Sequence, residues 1–460
     1  MTTREAAGWE RIHGPIRVGR RRARSPARVA LGLLTLAALA CGERRRTAEP
    51  PPTEASRAAP TARAAATARP AGATLTPTEQ VGKLIFFDST LSVNRNQSCA
   101  ACHAAAWGFK GPDPEINAHG GVYEGSIPSR FGNRAPPTSA YATLSPVFRA
   151  PAGGLPTGGS FWDGRATGRQ LGSAAAEQAR GPFLNPKEMA LTDLACVVYR
   201  VSTAEYAPRY RAVWGNDIAS VRFPATTDRL CAIEGDSVPL TQQDRAKAVA
   251  EFDRIARSVA AFEGSAEMSP FDSKFDAFRK GQAQLTAQET LGMNLFMGSA
   301  RCATCHTISG DRPAFTDQTY RNVGTPANPE NPVYRENPRF VDLGLGGPGG
   351  AAPGQKHYGL MKVPTLRNVA AVGQPGALKS YMHNGALKTL KEVVHFYNTR
   401  DVLPACRARA PRADWGRTCW PAAEVPATMD RAAVGRLGLT AAQEDAIVAF
   451  LGTLSDGWRR

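Results

Sequence analysis

The chain has 460 residues with a soluble globular composition, 42% hydrophobic and 21% charged, and at that length two domains plus some non-globular sequence are expected. A net charge of +16 would suggest nucleic acid, but residues 1–74 hold 14 Arg and no Lys against 5 acids, leaving 42 basic and 35 acidic residues on the remainder. Such a mildly basic body speaks against a nucleic-acid partner and for ordinary solubility or a weakly acidic one.

In chain order, Arg17, Arg20, Arg21, Arg22, Arg24 and Arg28 lead into VALGLLTLAALA (29–40), an apolar run too short for a permanent bilayer span, and then Cys41. This is a secretory leader. Ala38, Leu39 and Ala40 before Cys41 resemble a bacterial lipobox, in which the cysteine is acylated, although Ala38 stands where leucine is usual. Ordinary cleavage nearby is the alternative. A signal peptide of lipoprotein type over 1–41, a periplasmic location and membrane contact only through that lipid anchor are expected. Residues 42–74 are Ala, Pro, Thr and Arg with almost no large apolar side chain; they read as a disordered tether.

The body then opens on LTPTEQVGKLIFFD (75–88), followed by CAACH (99–103); LTAQETLGMNLFMG (285–298) is followed by CATCH (302–306). Thr76 with Glu79, and Thr286 with Glu289, fit a capping box at a helix start, as do Thr440 and Gln443 in LTAAQEDAIVAFLGTL (439–454). No run shows strand alternation over several strands, so the chain reads as mainly α, with long Gly/Pro-rich loops. Two copies of helix, loop and CxxCH mean two similar modules.

A lone CxxC also suits a zinc half-site or a thioredoxin-like pair. Zinc needs further ligands at matching spacing, and a thioredoxin-like pair needs a βαβ context; neither is present. With His103 and His306 attached, each cysteine pair can form thioethers to a haem while the histidine takes one axial position on iron. Two covalent c-type haems are therefore expected, on Cys99, Cys102 and His103 and on Cys302, Cys305 and His306. The other body cysteines, Cys196, Cys231, Cys406 and Cys419, are even in number in an oxidising compartment and pair most simply in chain order.

Further along stand FWDGRATG (161–168), EQARGPFLNPKEM (177–189), KVPTLRNV (362–369), YMHNG (381–385) and LKEVVHFYN (390–398). In that order and spacing, from residue 75 to the end, the chain resembles the bacterial di-haem cytochrome c peroxidase superfamily, which includes MauG and the MauG-like MbnH. The resemblance implies two cytochrome c-like domains, each with one covalent haem: an N-terminal peroxidatic domain (75–280) and a C-terminal electron-transfer domain (281–460). It implies that Glu188 and Gln178 form the distal side of the first haem, moving a proton as peroxide is split, and that Trp162 relays electrons between the haems, where core packing is the alternative. Its peroxidase branch places a methionine opposite the second histidine; here that position falls on Tyr397, with Met361 and Met382 as nearby alternatives, which is the MauG pattern. His383 is implied to hydrogen-bond a haem propionate or backbone. At the first haem, His119 stands at the spacing of a displaceable distal ligand, or is an exposed loop histidine. A calcium ion is implied on Asn133 and the carbonyls of Leu378 and Ser380, although AVGQPGALKS (371–380) departs from the pattern.

The expected activity is reaction with hydrogen peroxide at the first haem, with electrons relayed through the second from a small donor cytochrome or cupredoxin. The alternative is a MauG-like enzyme whose oxidising equivalents modify an amino acid on a partner protein. From another class, a non-enzymatic di-haem electron carrier would need no distal acid. The arginine-rich stretch 405–420 reads as a solvated loop or as a docking surface for an acidic partner.

Overall fold

Seven helices of ten residues or more carry the fold of the computed structural model, which describes residues 74–459; the leader, Cys41 and the tether up to residue 73 lie outside the described residues. They are α1 (Pro77–Phe87), α2 (Ala174–Leu184), α3 (Leu194–Thr203), α4 (Gln242–Glu263), α5 (Ala287–Met297), α6 (Leu390–Thr399) and α7 (Ala441–Gly452). The sheet content among the described residues is one antiparallel pair of two-residue strands, β1 (Tyr320–Arg321) with β2 (Met361–Lys362). Long turns and loops connect the rest, as the Gly/Pro content requires. Also among the described residues, no helix is long and apolar enough to cross a membrane.

Capping starts α1, α5 and α7 alike. Thr76, Thr286 and Thr440 each accept from the backbone three residues on, and Glu79, Glu289 and Gln443 reach back to the cap's N–H. Each box satisfies two N–H groups that the first helical turn leaves without partners.

The repeat also fixes how helices cross. A Cβ at Gly82 of α1 would stand 1.8 Å from Ser258 O of α4, and one at Gly292 of α5 would stand 1.9 Å from Ala446 O of α7. Only glycine lets these backbones meet so closely. Each crossing sits in its own core: one runs through Val81, Ile85, Phe86 and Phe252, the other through Leu295, Phe296, Ile447 and Phe450.

Cys196 is bonded to Cys231 and Cys406 to Cys419, the chain-order pairing. The first closes a separation of 35 residues, worth about 3–4 kcal/mol on the chain-entropy estimate. Arg367, in KVPTLRNV, is a core ion-pair residue. Its guanidinium donates to both Asp276 oxygens at 2.5 and 2.9 Å and to Pro313 O at 2.9 Å, so the buried charge is paired.

Candidate functional site

The four CxxCH cysteines are free beside two formed disulfides, so their sulfurs are available for thioethers. Both histidines are held the same way. His103 Nδ1 lies 3.0 Å from Phe109 O and His306 Nδ1 lies 2.8 Å from Phe315 O. A carbonyl can only accept, so the proton sits on Nδ1 and Nε2 keeps its lone pair for a metal. Phe109 and Phe315 both adopt left-handed backbone, φ 57° and 52°, a conformation that costs a bulky residue about 1–2 kcal/mol. Behind each, a Pro-Thr pair fastens the loop: Thr138 Oγ1 donates to Gly108 O at 2.7 Å and Thr365 Oγ1 to Ala314 O at 2.6 Å. Two separate sequences thus build one histidine cradle twice, which fits haem in both places.

The first cradle opens on a cavity of about 270 Å³ that brings together Cys99, Cys102, His103, Trp162, Gln178 and Glu188. Gln178 is positioned by its neighbour. Glu177, in the first turn of α2, accepts from the N–H groups of Gly168, Gln170 and Leu171, tying α2 to the loop after FWDGRATG while Gln178 faces the cavity. Glu188 follows α2 in a turn where Asn185 O accepts its N–H at 2.9 Å and Glu188 O accepts from Ser126 N at 2.6 Å. Its Oε2 is buried with no partner. Burial raises its carboxyl above the usual range, opposed by the charge of Arg165.

Four cavity residues were not read from sequence. Arg134, Arg165 and Lys362 form one basic wall of the cavity, with both arginines also bonded to Asp163, and Lys362 Nζ is buried without a hydrogen-bond partner and pulled down to about 7 by burial. Such a wall suits the two acidic side chains of a haem. Arg134 also donates to both Asp342 oxygens at 2.6 and 2.7 Å and to Asp163 at 2.6 Å, linking FGNRAPP to FWDGRATG and to the later half. Glu263, the last residue of α4, has its Oε2 buried and unpartnered and is pushed to about 8 by burial. The arginines lie inside motifs already singled out; Glu263 carries no sequence signal.

Trp162 leaves the cavity toward the second half. Its Nε1 donates to Ala135 O at 2.8 Å, and its ring meets the His383 ring edge-on at 6.4 Å. His383 is buried, and burial lowers it to about 4. Its Nε2, 3.8 Å from Asp342, is too far for a hydrogen bond and has no partner. Near the second CxxCH, Tyr397 of α6 and Met382 pack with Cys302 against one core. Burial pushes the Tyr397 phenol up. Its hydroxyl is 4.0 Å from Met382 Sδ. Met361 lies elsewhere, in a small pocket with His383, Asp342 and Glu424.

Some expected residues are not brought together. His119 is exposed and bonded to Glu115 at 3.0 Å and Glu330 at 3.1 Å, outside the lining of the first cavity. Of the residues implied for calcium, Asn133 lines that cavity, Leu378 is exposed, and the Ser380 carbonyl accepts from Lys110 Nζ.

A family model described as di-haem cytochrome c peroxidase matches residues 76–284. Methylamine utilization protein MauG of Paracoccus denitrificans is 34% identical over 411 residues, covering 86% of this chain and 92% of its own. Cytochrome c551 peroxidase of Nitrosomonas europaea is 27% identical over 316 residues, covering 68% and 71%. Among solved structures, the diheme peroxidase BthA of Burkholderia thailandensis superposes with a TM-score of 0.64 at 29% identity, over 84% of this chain and 87% of that one. A MauG-like protein associated with microbial copper homeostasis shares the fold, with a TM-score of 0.53 at 22% identity over 85% and 93%.

Proposed function

Since the chain belongs to the di-haem cytochrome c peroxidase family, and is a peroxide-dependent oxidoreductase with two c-type haems, we propose that it works in the manner of MauG. On this reading it is a periplasmic enzyme with a peroxidatic domain over 75–280 and an electron-transfer domain over 281–460. Peroxide enters the first cavity, and the oxidising equivalents leave through the second half to oxidise a residue on a partner protein. The observation that carries the reading is Tyr397, whose hydroxyl lies beside the second CxxCH where a peroxidase would present a thioether. The extent of likeness to MauG and the position of His119 away from the first cavity support it.

When bound, the haems supply peroxide activation at the first site and electron exchange at the second. The chain's own residues do the remainder. Glu188, its carboxyl raised and its Oε2 without a hydrogen-bond partner in the cavity, would take a proton from one peroxide oxygen and return it to the other, which leaves as water. Gln178 donates a hydrogen bond that orients the peroxide. Arg134, Arg165 and Lys362 hold the acidic edge of the cofactor, and Trp162 offers an easily oxidised ring between the two halves.

A second reading, a peroxidase supplied by a small cytochrome or cupredoxin, is favoured by Met382, whose sulfur competes with Tyr397 for the same place. Adding one equivalent of hydrogen peroxide to the fully oxidised holoenzyme, with no reductant, separates the two. The MauG-like reading expects the absorption bands of both haems to change promptly. A response only after one haem has first been reduced would contradict it and favour the peroxidase.

A further inference from the structure

Two lysines, Lys379 buried and Lys110 half-buried, stand beside Ser380, whose carbonyl the family resemblance implies for a calcium ion. Lys110 follows the Phe109 that holds His103, and its Nζ donates to Ser380 O at 3.1 Å. Lys379 is 2% exposed, and its Nζ donates to Asn368 O at 3.0 Å and Ala371 O at 2.8 Å. The Ser380 hydroxyl is also engaged, donating to Asn117 Oδ1 at 3.2 Å. Asn117 Nδ2 in turn donates to Gly111 O at 3.0 Å. The Ser380 carbonyl, one of those implied for the metal, is thus bonded to a lysine, as are the carbonyls of Asn368 and Ala371.

Calcium requires about six to eight oxygen ligands at roughly 2.3–2.6 Å, usually with carboxylates among them. The residues implied as ligands, Asn133, Leu378 and Ser380, include no carboxylate. The hydrogen bonds of Lys110 and Lys379 run to carbonyls, not to Asp or Glu. Among the described residues, no cluster of three or more His, Cys, Asp or Glu could hold a metal. A divalent ion placed on the Ser380 carbonyl would meet the Lys110 amine, already 3.1 Å from the same oxygen.

We infer that the chain's own ammonium groups replace the interdomain metal, so that this enzyme binds no structural calcium. Lys110 bridges from the first histidine loop to Ser380. The inserted segment 371–380 brings Lys379, which ties that segment back to the turn after KVPTLRNV. An ammonium offers three donors, fewer than a calcium ion can bind, and three carbonyls is what the two lysines hold. The inference does not depend on how peroxide is used.

The test is elemental analysis of the holoenzyme after equilibration with millimolar calcium and desalting, paired with thermal melting in calcium and in chelator. Metal content far below one calcium per chain and superimposable melting curves are expected. One calcium retained per chain, or a melting temperature lowered several degrees by chelator, would overturn the inference. Lys110→Met, which keeps the stem and removes the charge, is expected to melt several degrees lower than the parent with or without calcium; a variant as stable as the parent would also overturn it.

Discussion

Glu188→Gln is expected to lower peroxide turnover by about 10²–10⁴-fold, the usual worth of a positioned acid–base group, while both haems remain attached. The argument rests on placement. Glu188 lines the cavity beside Cys102 and His103, and its Oε2 is buried without any protein partner. An unpartnered buried oxygen costs stability, and burial raises the carboxyl so that it can hold as well as release a proton. Glutamine keeps the size but cannot carry a proton between two oxygens. On this account haem attachment rests on Cys99, Cys102, Cys302 and Cys305, which the change does not touch. Steady-state peroxide consumption, normalised to covalent haem content, is the measurement. Undiminished turnover would remove Glu188 from the mechanism and turn attention to Glu263, the other carboxyl with a free buried oxygen in the same cavity.

The second large effect is expected from Trp162→Phe. Peroxide should still react in the first half, but the accompanying change at the second haem should slow by orders of magnitude, because a phenyl ring is far harder to oxidise than an indole. The substitution is mild as packing: a flat ring still faces His383, and one hydrogen bond, Nε1 to Ala135 O at 2.8 Å, is lost at about 1 kcal/mol. Stopped-flow absorbance at both haems, with a melting curve as control, separates relay from core packing. If both haems respond as fast as in the parent and only the melting curve moves, Trp162 is a structural residue.

Local signals were the legible ones. Thr76, Thr286 and Thr440 announce helix starts because a capping box lies within four residues, and CxxCH carries its chemistry in five. The disulfides followed from an even count. Harder to see were features whose two copies differ in spacing. The carbonyl that holds His103 comes six residues later and the one that holds His306 nine residues later, so the shared cradle does not appear as a sequence repeat. Gly82 and Gly292 did occupy matching places in the repeat, but only the helix crossing shows why a side chain is excluded there. The cationic wall joins Arg134, Arg165 and Lys362 from distant segments, a relation no local pattern contains. At the implied calcium site the insertion 371–380 adds Lys379, and Lys110 donates to the Ser380 carbonyl, a pairing across some 270 residues that no local pattern contains. His119 was ambiguous from spacing alone; Glu115 and Glu330 hold it at the surface.

The central claim is that Tyr397, and not a methionine, completes the second haem while the first keeps an open face. Low-temperature EPR of the fully oxidised holoenzyme reports both ligations at once. The account predicts a high-spin signal from the first haem together with a low-spin signal of His/Tyr type from the second, the latter altered in Tyr397→Phe and unaltered in Met382→Leu. Two low-spin signals, with the second lost in Met382→Leu and indifferent to Tyr397→Phe, would contradict it and identify a peroxidase that must be activated by reduction.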